Sequence, residues 1–373
     1  MKKLLLGTSA LVAVGLCAGE ASAQGYATLG GFFRNYGQIY DHSSLQSTGP
    51  SAGATISGSR DFNLTSNSEV HFKGETKLNN GLIFGFRLEL EAWTQNGSTS
   101  AQGIDQIDEG WGYVKGSFGE IRFGEEDDAR KMKAYSSYIS PVLAFGVDSP
   151  DGNYSLGTST TYFNVENDAM KVLYFSPAFS GFSFAASYTP DQTHGSRNFG
   201  LQGRDDCDGT QSRGCNGDAW SIAADYRGKF GDTTIGIDVG YTGSTREQPS
   251  GSARRDDVTA VRGDAFLQVA GWEASIQYGK VNNNRGNNLD DQAIGGALMY
   301  TTGPWTLGGF FQQGKADMST GGTNKLSHFM LAAGYNLGAG VGLAAAFSHQ
   351  KLNQATGVDP SASSFVFGIG ANF

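Results

Sequence analysis

Proline, cysteine and long apolar stretches are all scarce in this chain. It holds 8 Pro against 55 Gly, and only 3 Cys, in 373 residues. So few cysteines exclude a disulfide-built scaffold and a cysteine-rich metal cluster. Beyond Ala23 no apolar run approaches the roughly 20 residues that a membrane-spanning helix needs. No stretch carries a convincing helical period. The formal net charge of -9 denies nucleic acid an electrostatic footing. The histidines His42, His71, His194, His328 and His349 belong to no nucleophile or metal signature, so no enzyme is expected. Gly340-Val-Gly342 falls at a turn with no helix after it, which excludes a phosphate loop. No linker or composition break divides the chain.

What is present is period-two alternation. It is clearest from Glu69 to Trp93. Val70, Phe72, Thr76 and Leu78 alternate with Glu69, His71, Lys73, Glu75 and Lys77. After Asn79-Asn80-Gly81, the run Leu82, Phe84, Phe86, Leu88, Leu90 alternates with Ile83, Gly85, Arg87, Glu89 and Glu91. This predicts two strands joined by a short turn with Gly in the left-handed region. Pairing the polar faces sets Leu78 opposite Leu82 and Lys73 opposite Arg87. The polar face carries too many full charges to bury in a dry core. The apolar face is therefore read as the outside.

The first 23 residues read as a secretory signal peptide. Lys2 and Lys3 precede the apolar run Leu4 to Leu16, and Ala21-Ser22-Ala23 offers a small-residue cleavage site. Cys17 is not read as a lipoprotein anchor, because Leu16 stands where a small residue is wanted. Removing Lys2, Lys3 and Glu20 takes the formal net charge from -9 to -10. Residues 24–373 are expected to form one all-β unit.

The alternation recurs through about sixteen strands, with short turns and long polar loops in strict succession, the Ser/Gly-rich Asp41 to Ser68 and the Asn-rich Asn282 to Asp291 among the loops. Aromatics stand near strand ends on the apolar face: Trp93, Trp111 and Tyr226 early, Tyr241, Trp272, Trp305 and Tyr335 later. These suit two interfacial girdles. Lipid leaves no backbone group without a partner, so the sheet must close on itself. The pattern stops between Glu126 and Asp168, yet Tyr135, Tyr138, Leu143 and Phe145 give that segment enough apolar surface to pack. The expected fold is a closed antiparallel transmembrane β-barrel, wide enough for an aqueous channel.

The last strand places Phe365, Phe367, Ile369, Ala371 and Phe373 on one face and runs to the terminal aromatic. Here the chain resembles the Gram-negative general porins, over the whole mature length and in pattern rather than by a short signature. The resemblance implies an outer-membrane location, with Phe373 read by the barrel-assembly machinery. It implies passive diffusion of small hydrophilic solutes and ions, and a homotrimer. It also implies that the third loop, 126–168, folds inward as a constriction, and that a basic wall faces acidic loop residues. The inward cations Arg34, Lys73, Arg87 and Arg122 are the candidate wall. Asp127, Asp128, Asp148, Asp151, Glu166 and Asp168 are the candidate loop acids. The plainer reading of any one of these charges is a solvated lumen residue. The net negative charge points to a mild cation preference. Small outward residues near the closure (Ala27, Leu29, Gly31, Val341, Leu343, Ala345) suit close packing between barrels.

Cys207 and Cys215, eight apart in a predicted exterior loop of an exported protein, are read as a disulfide. Asp205-Asp206-Cys207-Asp208-Gly209 is faintly like a calcium loop but lacks its full spacing and terminal Glu. No cofactor is expected otherwise. Acidic exterior loops could also meet lipopolysaccharide through shared divalent ions. Two alternatives stand beside the channel: a barrel acting as adhesin or receptor through its loops, and a barrel hydrolase.

Overall fold

In this computed structural model the described residues are 25–42, 61–91, 107–136, 138–140, 143, 145–146, 165, 168–191, 215–247, 255–357 and 359–373. The expected signal peptide, Trp93, Asp148, Asp151, Glu166, the 205–209 segment with Cys207, and His194 lie outside them. So does the side chain of Cys215.

Strands form wherever apolar and polar residues alternate. The chain opens with β1 (Gly25–His42), β2 (Phe62–Lys77), β3 (Ile83–Glu91), β4 (Glu109–Gly116) and β5 (Gly119–Glu125). A helix, α1 (Ala129–Lys133), and a two-stranded ribbon, β6 (Tyr138–Ser140) with β7 (Phe145–Gly146), follow. Next come β8 (Met170–Phe175), β9 (Phe182–Asp191), β10 (Cys215–Phe230), β11 (Thr233–Glu247) and β12 (Val258–Val269). The series ends with β13 (Trp272–Gly286), β14 (Leu289–Thr302), β15 (Trp305–Asp317), β16 (Thr323–Gly338), β17 (Val341–Asn353) and β18 (Ser361–Asn372). All except β6 and β7 join in one closed antiparallel barrel of sixteen strands. Closure runs from Phe32 opposite Asn372 to His42 opposite Ala362. The last residue is held too, because Phe373 N–H donates to Gly31 C=O and Gly31 N–H donates back.

The register of the opening hairpin is the expected one. Lys73 lies opposite Arg87, Leu78 N–H donates to Leu82 C=O, and Gly81 takes φ +86°. The faces are inverted relative to a soluble sandwich. Leu29 is 62% exposed and Leu331 60%, whereas Gln277, Asp264 and Arg262 are buried inside the barrel. Outward aromatics pair across neighbouring strands near their ends, as Trp220 with Tyr241, Trp272 with Tyr300 and Trp305 with Tyr335.

The structure departs from the sequence reading at four places. First, β2 begins at Phe62 rather than Glu69, because Phe62 and Leu64 continue the outward face opposite Ile39 and Gly37. Second, the Asn-rich segment 282–291 is mostly strand. Leu289 pairs with Gly286, and Asn283 and Asn288 adopt positive φ, which asparagine tolerates. Third, Trp111 is no girdle residue. It shares the lumen side of β4 with Tyr113, and the Arg122 guanidinium lies 4.1 Å from its ring centre. Fourth, the lumen is not polar all round. Tyr36, Met299, Phe310, Met330 and Val366 make an apolar patch on its inner wall.

Candidate functional site

The segment after β5 enters the barrel and follows its inner wall. Asp128 caps α1 by accepting from Lys131 N–H (2.7 Å). Hydroxyls on three strands then receive the helix. Ala129 N–H donates to Ser187 Oγ (3.1 Å), Arg130 N–H to Ser221 Oγ (3.0 Å), and Arg130 Nε to Thr242 Oγ1 (3.1 Å). Arg130 is 2% exposed and sits beside Asp128, with Nε 3.6 Å from Oδ2. Gly240 makes room for it, since a Cβ there would stand 2.5 Å from Arg130 Cγ.

Tyr135 fixes the next step. Its ring stacks on Phe266 (3.9 Å), its N–H donates to Asp238 Oδ2 (3.0 Å), and its hydroxyl bonds Glu273. Its carbonyl accepts from Arg262 Nη2 (3.0 Å) and Gln277 Nε2 (2.8 Å). Ile139, Leu143 and Phe145 then bury themselves on the apolar patch, and Tyr36 donates its hydroxyl proton to Leu143 C=O (3.2 Å). Val165 packs on Val258, Ala260, Val281 and Ala293. Among the described residues, the inserted segment therefore covers the inner wall from β9 round to β1.

The wall formed by β2 to β5 stays open and carries the predicted cations. A cavity of about 420 Å³ lies there, with Lys73, Arg87 and Arg122 on its strand side and Met132 of α1 on the other. Arg34 is not among its lining residues; its guanidinium lies over the Phe32 ring at 3.8 Å. Each cavity cation has a carboxylate close by. Lys73 Nζ is 3.4 Å from Glu75 Oε2, and Arg87 ion-pairs with Glu89. Arg122 reaches Glu120 Oε1 and Glu126 Oε2, both at 2.6 Å. Lys115 Nζ is 4.0 Å from Glu120 Oε2. Arg87 Nη2 also donates to His71 Nδ1 (2.9 Å), whose Nε2 meets Glu69 Oε2 at 2.8 Å.

The sequence reading puts Glu75 and Glu89 on the inward face with the cations but looks to the loop for the cations' acidic partners. The signal was present as an i, i+2 spacing: Lys73 with Glu75, Arg87 with Glu89, Glu120 with Arg122. Residues two apart share one face of a strand. Glu126, at the start of the loop, does pair with Arg122, but Asp127 and Asp128 serve elsewhere. Asp128 holds α1 and accepts from Thr242 Oγ1 (2.9 Å), while Asp127 ion-pairs with Lys131.

Toward the long-loop rim the same wall turns acidic. Carboxylates of Glu69, Glu91 and Asp108 cluster, as do those of Glu109, Glu126 and Asp127. Burial, and then Asp168, Glu69, Glu91 and Glu89, push Asp108 up to about 7. Burial is also the largest influence on Asp127, raising it to about 7 although Lys131 pulls it down. The open path thus runs from an acidic vestibule to a belt of alternating charge.

Comparison with known proteins places this geometry. The family model described as Gram-negative porin matches residues 7–355. The major outer membrane protein P.IB of Neisseria sicca is 31% identical over 129 residues, which is 33% of this chain and 31% of that protein. The chain therefore aligns with only about a third of that relative's length. An anion-selective porin from Comamonas acidovorans is 16% identical with a TM-score of 0.62, covering 94% of this chain and 100% of that one. In-vitro folded OmpT of Vibrio cholerae, in a trimer form, is 14% identical with a TM-score of 0.59, covering 94% and 99%. At such identities the two structures speak for the fold alone.

Proposed function

This chain belongs to the Gram-negative porin family, and on that footing we propose that it forms a water-filled channel for passive diffusion of small hydrophilic solutes and ions across the bacterial outer membrane. The observation that carries the reading is the open β2–β5 wall inside a closed barrel whose outer surface is apolar. The sheet closes on itself and leaves no open edge strand, as lipid requires. The inserted segment supplies the constriction, with Lys73, Arg87 and Arg122 on the wall that faces it.

The acidic vestibule supports a mild cation preference, because focused negative potential concentrates cations at the mouth. No catalytic step and no cofactor is assigned. The outward faces of β1, β17 and β18 are assigned to contacts in a homotrimer, and exposed Phe373 to recognition during assembly. Purified protein in planar bilayers is expected to give discrete conductance steps, and liposomes carrying it to swell in small sugars. Intact, non-leaking liposomes with correctly folded protein would overturn the channel.

A further inference from the structure

A wet bore has no use for aromatic rings, yet β4 places two there. Trp111 and Tyr113 stand with ring centres 5.5 Å apart on the edge of the 420 Å³ cavity. Tyr113 is anchored through its hydroxyl to Glu75. The indole Nε1–H of Trp111 is buried and has no acceptor among the described residues. An indole costs nothing facing lipid, but facing water it exposes apolar surface, and a buried donor without an acceptor is costly.

The charges around these rings cancel. The cations are Lys73, Arg87, Lys115 and Arg122; the carboxylates are Glu75, Glu89, Glu120 and Glu126. All lie in close opposite-sign pairs. An ion entering here meets attraction and repulsion together, and must break an existing pair to bind. A neutral solute rich in hydroxyls need break none. Its hydroxyl oxygens accept from the guanidinium and ammonium N–H groups, and its hydroxyl protons go to carboxylates. Its C–H face can lie on an aromatic ring. The volume falls within the roughly 300–1,000 Å³ typical of small-ligand sites.

We propose that this cavity is a binding subsite for a small neutral saccharide, with Trp111 as its platform; the proposal rests on the channel reading above. It is tested in planar bilayers with glucose and sucrose, using a polyethylene glycol of matching hydrodynamic radius as the size control. Sugar is expected to interrupt the current saturably, beyond the loss of bulk conductivity and beyond the effect of the glycol. Trp111→Ala weakens that interruption by about tenfold through loss of the ring. Trp111→Phe, which keeps a smaller ring on the same wall, weakens it about threefold through the reduced aromatic face. Current that falls with sugar only as bulk conductivity falls, or only as with the glycol, overturns the subsite. So does interruption that is undiminished in both variants. Absence of any conductance step in the wild-type protein would instead remove the channel, and the subsite with it.

Discussion

Lys73 and Arg87 lie directly opposite each other in adjacent strands, a placement that destabilises bare like charges. Each has a glutamate two residues along its own strand, so the repulsion is offset within the wall rather than by the loop. Exchanging both cations for Glu takes Lys73 from Glu75 and Arg87 from Glu89 and turns the belt acidic. Lys73→Glu with Arg87→Glu is expected to raise cation over anion permeability severalfold while the barrel still folds, read as a shift in reversal potential. An unchanged reversal potential would remove these residues from the narrow part of the path. Asp108 and Asp127 give the vestibule a pH dependence. Their carboxyls are raised to about 7, so they are largely neutral below that pH and charged above it. Cation preference is therefore expected to grow as pH rises through about 7, and Asp108→Asn to flatten the rise. The sign for stability is opposite. A carboxyl raised by folding favours the fold below its ordinary range, and that contribution is lost as pH approaches about 7.

The inserted segment is held by two chemistries, polar where α1 and Tyr135 meet β9 to β13 and apolar where Phe145 meets the patch on the far wall. The polar half includes a buried pair, Asp128 with Arg130, and removing one member strands the other. Arg130→Ala is expected to loosen α1 by about 3–5 kcal/mol, visible as faster proteolysis within the loop while the barrel survives. Phe145 is fully buried, and Phe145→Ala forfeits about 3–5 kcal/mol of docking. Single-channel conductance and its noise are both expected to rise; unchanged traces would show that this contact does not set the bore. How much of this the sequence made legible follows from the range of each interaction. Strand faces and the Lys73–Arg87 register are local, because period two and a three-residue turn determine them. The loop's route is not local. Leu143 and Phe145 read as packable, but nothing nearby names Met330 or Val366 as their partners. Composition misled at 62–68 and 282–291, where Ser and Asn suggested loop and cross-strand pairing prevailed. Trp111 misled because an aromatic on a barrel strand usually belongs to the girdle; its place opposite Arg87 and the Arg122 lying over it show that it faces the lumen.

At the scale of the whole molecule, the outer surface differs around its circumference. Near the closure, Ala345 and Gly37 are small, and a groove of about 920 Å³ opens between Leu64, Trp305, Tyr335, Leu343, Phe367 and Ile369. Asn35 also lines that groove, placing an amide on an otherwise apolar face. Across the barrel, β11 presents Ile237 and Val239 to its surroundings with more than half their surface exposed. Lipid tails fill a groove no better than they cover a ridge, so a recess lined by small and aromatic residues favours close contact with another barrel. If the groove is the trimer contact, a large charged side chain there should separate subunits. The same side chain on β11 should meet only lipid, at a cost of about 2–4 kcal/mol near the bilayer midplane. In detergent-solubilised protein sized by chromatography, Ala345→Arg is therefore expected to give monomer in place of the wild-type oligomer, and Val239→Arg to leave it intact. The paired design removes the lipid penalty from the comparison, since both variants carry it. Loss of the oligomer in both would point to general destabilisation. Its persistence in both would move the subunit contact away from the closure.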